Sequence, residues 1–526
     1  MSTPAPTAPK RAGITLTALV LGALVSNINL AIANIALPDI GRAFDASQTS
    51  LNLVAIGCTL GLAMSVLYLG AIGDRYGRKL LLVLGMGLTV PFSLLAAFAP
   101  NIEVLIGARI LTGIAAGMAF PTTLALITAL WGAGPARIRA IALWSGIGGG
   151  GAILGPVIGG AMLTAFWWGS VFLIAIPLAI LTFFLVLAFV PAHVNESTAP
   201  VDNVGGVLSV LMIAALVYGL GTISAPGRLT GALIAIGISI VLAILFVIRQ
   251  TRAAHPLYNL HYARRRLFWV PTIAGMIVFG SLMGSMFIGQ QFLQNVLQYS
   301  TLSAGLAVLP SAIGMILAAP ISARLDENLG SRLTLLVGYV LVIPAFILML
   351  FAWGVDTPYW QVGLAYVLVG LGAGIAMTPA SRSLTSSVPV DKVGMASGTT
   401  DLQRDLGGSI MQAILGSLLT AGYALSFANQ ISAAPSDEAQ QISQQTQAVL
   451  TESYANAAQL AEQYPQYQQA IITAARESFL SGANWAYGAA IIAGVIGAIL
   501  VIACFPGKQG ENDLLAEYAK QDAQAR

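Results

Sequence analysis

The chain has 526 residues, of which 57% are hydrophobic and 9% charged, with a formal net charge of +3. Soluble domains carry about 25% charged residues, so a soluble globular protein is excluded, as is a transmembrane β-barrel, whose alternating segments of about ten residues are absent from the long apolar runs. At about 20 apolar residues per membrane helix plus connections, the chain has room for roughly 14 spans.

Residues 1–11 form a Pro/Ala/Thr-rich cytoplasmic tail ending in Lys10 and Arg11, and the apolar stretch behind them is too long for a signal-peptide core. Spans are expected over 12–38, 47–70, 79–99, 102–130, 138–164 and 167–190, a first group of six covering 12–190. Two more, 203–223 and 229–248, make an inserted pair (203–248), followed by a basic cytoplasmic loop, 249–266. The remaining spans, 267–293, 303–323, 332–353, 359–380, 393–424 and 478–505, form a second group of six over 267–505, and 506–526 is a cytoplasmic tail. The fold class is therefore all-α integral membrane with fourteen spans. Of the 24 Lys and Arg, only Arg42, Arg228 and Arg476 fall outside and Arg109 and Arg404 within spans; Arg137, Arg139, Lys392 and the others lie on one side. This bias predicts cytoplasmic N- and C-termini in a multi-pass protein of the cell (inner) membrane.

The run Gly77–Gly85 resembles Gly330–Gly338, an offset of 253 that also carries Arg139 onto Lys392 and Gly155 onto Gly408. Two six-span halves in parallel orientation follow, with the substrate site expected at their interface. Carrying span 6 forward leaves extra residues, about 424–478, outside between spans 13 and 14. This insertion is rich in Gln and Ala, with Ile442, Val449, Leu450, Leu460, Tyr464, Tyr467 and Ile471 at loosely helical spacing. It reads as amphipathic helix, serving as a solvated spacer or as a lid or partner surface.

Between spans 2 and 3 stands Gly70-Ala-Ile-Gly-Asp74-Arg75-Tyr-Gly77-Arg78-Lys79. Glycines permit a tight turn, and one acid among bases can exchange ion pairs as two helical groups rock. Span 5 carries Gly151-Ala-Ile-Leu-Gly155-Pro156-Val-Ile-Gly159-Gly160, where glycines at i and i+4 allow close helix approach and the proline bends the helix. Further segments are Asn34-Ile-Ala-Leu-Pro38, Gln291-Phe-Leu-Gln294-Asn-Val-Leu-Gln-Tyr299, and Gly398 through Arg404-Asp-Leu-Gly407-Gly408. Together these resemble the fourteen-helix drug:proton antiporter branch of the major facilitator superfamily. The resemblance implies two six-helix bundles plus two inserted helices. It also implies a conformational switch at Gly70, Asp74, Arg75, Gly77, Arg78 and Lys79, with Asp74 pairing with bases and with the start of span 13. The span-5 glycines with Pro156 resemble the antiporter motif, with plain tight packing as the competing reading; Ala142 stands where that motif has glycine.

Ionisable groups at membrane depth are costly and usually functional. Arg109, in Ala108-Arg109-Ile-Leu-Thr112-Gly113, resembles the family's span-4 arginine motif, with Thr112 where Gln is usual. Arginine keeps its proton, so it would tune a neighbouring acid or orient substrate. Many members of the branch carry Asp nine residues before the proline that ends span 1; here Asn29 occupies that position and cannot titrate. Span 13 instead carries Asp401, Arg404 and Asp405, with the acids at i,i+4 and Arg404 three residues from Asp401. These three, with Arg109, are the expected proton-coupling residues; a salt-bridged structural cluster is the alternative.

Met276, Phe279, Met283, Met286, Phe287 and Gln290 share a broad face of span 9, suited to greasy ligands or to ordinary packing. With Asn27 and Asn29, and less directly Phe120 and Trp144, they are the expected cavity lining. The function implied is proton-coupled efflux of hydrophobic or amphipathic small molecules by alternating access, with protons and membrane lipids as partners. Alternatives are a dedicated exporter of an endogenous lipid or secondary metabolite, and a non-transporting receptor or scaffold. No catalytic triad, phosphate loop or metal cluster is apparent, and His193, His255 and His261 lie in loops. Cys58 and Cys504 form no evident disulfide or metal framework, and scattered basic residues give no nucleic-acid patch. No cofactor is expected.

Overall fold

The computed structural model describes residues 11–131, 136, 140, 143–144, 149–192, 200–225, 227–389, 393–433 and 443–524. Lys10, Arg137, Arg139, Ala142, His193, Lys392, Ile442 and Arg526 lie outside the described residues.

Among the described residues every regular element is helical: α1 (Ala12–Ala31), α2 (Ala33–Phe44), α3 (Gln48–Tyr76), α4 (Arg78–Ala97), α5 (Ile102–Leu130), α6 (Gly149–Leu163), the single turn α7 (Ser170–Leu173) and α8 (Ala175–Phe189). The inserted pair is α9 (Asn203–Thr222) and α10 (Leu229–Arg252), followed by the turn α11 (Leu260–Ala263). Then come α12 (Arg266–Gln291), continued by a π-helical turn Phe292–Val296, α13 (Thr301–Ala307), α14 (Leu309–Leu329), α15 (Ser331–Ala352), α16 (Tyr359–Ser386) and α17 (Val393–Ala433). Two short helices, α18 (Gln444–Glu452) and α19 (Tyr454–Gln463), precede α20 (Gln468–Cys504) and the polar α21 (Lys508–Gln524).

Local chemistry sets the boundaries. Asn101 caps α5 by accepting from the Val104 amide at 2.9 Å, and Asp202 caps α9 through Gly205 at 3.1 Å. Ser453, between α18 and α19, accepts from the Asn456 amide at 3.1 Å. Gly77, at φ 119°, ends α3 in a conformation that excludes most side chains.

Among the described residues, thirteen helices are long and apolar enough to cross a membrane. The expected fifth span, 138–164, is described as a helix over Gly149–Leu163, and its apolar part, Leu154–Leu163, is too short to join them. Pro38 does not end the first span: the helix breaks at Ile32, and Pro38 sits inside α2. α17 has 41 residues and α20 has 37, so at 1.5 Å per residue each reaches well beyond a hydrocarbon core of about 30 Å. Their extensions carry α18 and α19.

α1, α3, α4, α5, α6 and α8 pack on one another, as do α12, α14, α15, α16, α17 and α20. α3 packs on α17, α6 on α13, and α2 on α12 and α19; α9 lies against both α3 and α17. Glycines permit the closest crossings: a Cβ on Gly61 would stand 2.1 Å from the Ile110 carbonyl, and one on Gly407 2.5 Å from that of Met276. Ser417 Oγ donates to the Leu220 carbonyl at 2.5 Å, tying α17 to α9.

Candidate functional site

α17 brings Asp401, Arg404 and Asp405 to the junction of α3, α5 and α12. Asp405 is buried and Arg404 nearly so, while Asp401 is partly exposed. Arg404 Nε donates to Asp405 Oδ1 at 3.2 Å. The expected i,i+3 partner was Asp401, but the guanidinium folds toward Phe120 of α5, 4.5 Å from its ring centroid, and lies 5.9 Å from Phe279 of α12. The contact with a ring carried by another helix accompanies the pairing with Asp405.

Polar valences remain open around this pair. Among the described residues, Asp405 Oδ2, Arg404 Nη2, both amide atoms of Gln403, and Gln412 Oε1 are buried without a hydrogen-bond partner. Gln403 fits because Gly275 leaves room: a Cβ there would lie 2.6 Å from its Nε2. Uncompensated buried polar groups of this kind cost on the order of 1–3 kcal/mol each. Native structures hold few such groups, so a cluster of them sets this stretch of α17 apart from ordinary packing.

Arg109 of α5 is fully buried, and among the described residues none of its three guanidinium nitrogens has a hydrogen-bond partner. The Phe172 ring lies 5.4 Å away, and Gly57 of α3 makes room for its Cβ. It is not paired with the α17 acids. Asn27 and Asn29 are buried on α1; Asn27 Nδ2 donates to the Ala23 carbonyl at 3.0 Å. Trp144 donates from its indole to Thr123 Oγ1 at 2.8 Å and stacks near Phe120.

The α12 stripe faces α17 in part: Gly408 makes room for Met283, and Gln412 Nε2 reaches the Met283 carbonyl at 3.5 Å. Phe287 and Gln290 are buried, and Gln290 Nε2 donates to the Ala304 carbonyl at 3.2 Å.

In the α3–α4 loop, Asp74 accepts from Arg78 at 2.9 Å, Arg78 also reaches the Ala125 carbonyl at 3.3 Å, and Lys79 reaches that of Leu187 at 2.9 Å. Asp74 is thus paired with one of the bases of its own loop, as expected, while Lys392, at the start of span 13 where its other expected partner lies, is outside the described residues. Gly77 makes the turn; α3 runs helically through Gly70, where an added Cβ would meet open space. Arg75 lies in the last turn of α3.

On α6, Gly151 approaches the Leu24 carbonyl and Gly159 approaches Ile32 and Ile35, so this edge lies on α1 and α2; a Cβ on Gly155 would stand 3.3 Å from the Ile28 carbonyl. Gly160 faces Thr301 across the halves of the chain, and Gly305 faces the carbonyl of Pro156. The glycines therefore serve both close packing on α1 and the crossing to α13.

A cavity of about 610 Å³ opens where α2, the start of α3, the end of α12 and α19 meet. It is rich in carboxamides, including Gln48, Gln291, Gln294, Asn295 and Gln298. None of the expected lining residues, Asn27, Asn29, Met283, Phe287 and Gln290, lines it; Gln290 lies one position before Gln291 on α12. The signal lay in the spacing Gln290, Gln291, Gln294, Gln298, amides at the end of an apolar helix.

Comparison with known proteins follows the same lines. A family model described as Major Facilitator Superfamily matches residues 19–412. The multidrug efflux pump LfrA of Mycolicibacterium smegmatis is 33% identical over 79% of this chain and 82% of its own. The methyl viologen resistance protein SmvA of Salmonella typhimurium is 31% identical over 91% of this chain and 95% of its own. Among solved structures, a bacterial homologue of the human lysosomal transporter Spinster, inward-facing and unoccupied, aligns at TM-score 0.63 and 14% identity over 96% of this chain and 97% of that one. At that identity the likeness concerns the fold.

Proposed function

Because the chain belongs to the Major Facilitator Superfamily, we propose that it is a proton-coupled antiporter exporting hydrophobic or amphipathic drugs by alternating access. Two six-helix bundles with the inserted pair α9–α10, fourteen spans in all, would rock about a central site, with both termini in the cytoplasm and the chain in the cell (inner) membrane. The one-sided distribution of Lys and Arg supports that orientation. The multidrug efflux relatives support the substrate class.

The observation that carries the coupling assignment is the buried Arg404–Asp405 pair, with an unpartnered carboxylate oxygen and guanidinium nitrogen beside it. An acid held next to an arginine can give up its proton when the guanidinium approaches and regain it when the guanidinium is drawn away. Arg404 also touches Phe120 on α5, so relative motion of the bundles would change that distance. Asn29 cannot titrate, so the reading places the proton on Asp405 with Asp401 beside it, and Arg109 as a fixed charge in the first half. Asp74, Arg75, Arg78 and Lys79, with Gly70 and Gly77, would exchange partners as the cytoplasmic side opens. Gly151, Gly155, Pro156, Gly159 and Gly160 would keep the first bundle tight against leak. Asn27, Asn29, Met283, Phe287 and Gln290 would line the substrate path, reached through the membrane lipids.

Everted vesicles carrying the protein and energised by a proton gradient should accumulate a fluorescent hydrophobic dye, and an uncoupler should release it. Dye accumulation that ignores the uncoupler would overturn the coupling. A dedicated exporter of an endogenous amphiphile is the second reading, favoured by the carboxamide cavity under α19.

A further inference from the structure

The carboxamide cavity sits where both halves of the chain meet the inserted segment, opposite in the fold to the α3–α4 loop. Pro38, Arg42 and Gln48 come from α2 and α3, Gln291, Gln294 and Gln298 from the end of α12 and beyond, and Tyr454, Glu462 and Gln469 from the insertion and α20. Its floor is built. Gln48 Nε2 donates at 3.0 Å to both Gln291 Oε1 and Asn52 Oδ1, and Asn52 Nδ2 donates to Thr420 Oγ1 at 3.1 Å. These buried side chains form a polar ladder running from the cavity between α3, α12 and α17. One wall is held by Gln294 Nε2, which donates at 3.1 Å to the Ile35 carbonyl, in the turn of α2 that Pro38 disrupts. Another is held by Gln298, at φ 56°, whose Nε2 donates to the Tyr454 hydroxyl at 3.1 Å.

The direction of these bonds sets the chemistry of an occupant. The amide nitrogens of Gln48, Gln294 and Gln298 are spent on protein acceptors, while their oxygens take no donor from the described residues. A group entering the cavity meets these oxygens beside the amides of Asn295, Gln468 and Gln469 and the hydroxyls of Ser300 and Thr301, so a group that both donates and accepts fits it. The charged lining residues are one acid, Glu462, and one base, Arg42, which is paired with Asp39. Neutral carboxamides and hydroxyls far outnumber them, which favours hydroxyls over an ammonium group. The Tyr299 and Tyr454 rings add flat faces, and the volume falls within the 300–1,000 Å³ of small-molecule sites.

We infer that this cavity is a binding site for an uncharged polyhydroxyl group, a saccharide in chemical class, with the Gln48–Gln291 pair as its floor. The inference rests on the efflux reading only in placing the site on the exit path; the binding itself does not depend on transport. A free saccharide and the head group of a glycosylated amphiphile share this chemistry.

The full chain, extracted and held in polymer-bounded lipid discs free of glycoside detergent, tests it by saturation-transfer NMR with hexyl maltoside, maltose, hexylphosphocholine and hexyltrimethylammonium. Sugar protons of hexyl maltoside should show saturation, and neither charged-head compound should displace it. Competition by maltose at equal concentration would identify a free-saccharide site, and its failure a glycosylated-amphiphile site. Gln294→Leu should weaken binding about tenfold. Gln469→Leu alters an exposed wall residue and should weaken it severalfold without disturbing the fold. Asp405→Asn, which blocks the proposed coupling, should bind as the unaltered chain does. Equal binding of all three hexyl compounds, absence of sugar saturation, or unchanged binding in Gln469→Leu would overturn the inference, whatever the outcome for efflux.

Discussion

The Arg404 guanidinium lies 4.5 Å from the Phe120 ring centroid while its Nε donates to Asp405 at 3.2 Å, so one side chain links the carboxylate of α17 to an aromatic ring on α5. A desolvated cation–π contact contributes about 2 kcal/mol. Phe120→Leu should therefore shift the balance between the two states of Arg404 by roughly thirtyfold, seen as slower dye efflux with unchanged expression. Arg404→Lys keeps the charge but loses the planar fork, and should be as impaired as Phe120→Leu in the same efflux measurement.

Close glycine crossings give a packing test. Gly113→Val would place its Cβ 2.1 Å from the Cys58 carbonyl, whereas Gly70→Ala meets open space. The first should lower the melting temperature in detergent by several degrees or abolish folded protein, since overpacking costs about 1–3 kcal/mol. The second should melt within a degree of the unaltered chain. Equal melting of both would contradict the helix approach.

How much of this was legible in the sequence differs from feature to feature. The charges of α17 stood out because the apolar run around them makes any ionisable residue conspicuous. Their pairing was not legible, because residue spacing along one helix cannot register Phe120 on another. Pro38 looked like the end of a span; in the structure α2 continues past it, and a glutamine 259 positions away, Gln294, donates to the buried Ile35 carbonyl. The Gln48–Gln291 floor joins residues 243 apart, a relation that composition and periodicity do not carry. Glycines at i and i+4 in α6 announced close packing, and Gly151 and Gly160 make it, on two different partners.

The crossing of α6 and α13 yields a conformational prediction. Gly305→Val would bring its Cβ to 2.5 Å from the Pro156 carbonyl and should part the two helices there. Cysteine-reactive probes added from outside should then label Asn295→Cys faster than in the parent chain. Unchanged labelling would show that this crossing does not hold the side closed.

The lobe formed by α18 and α19 should respond to pH. Burial, and then the Asp45 charge, push the Glu452 carboxyl above its ordinary range, against the opposing effect of the bond from Asn456. A docked carboxyl with a raised pKa favours the protonated form. Its contribution to docking is therefore full below the free value of about 4.3 and is lost as pH rises through the raised one. Hydrogen exchange over 443–463 should slow as pH falls through that range, after correction for intrinsic rates. Glu452→Gln should remove the dependence.

Proton coupling through Asp405 is tested most directly by substrate-induced proton release in everted vesicles or proteoliposomes, followed with a pH-sensitive dye. The unaltered chain should release protons when a transported drug is added, and Asp405→Asn should release none while still binding the drug. Undiminished release from Asp405→Asn would contradict the assignment of the coupling proton to this residue.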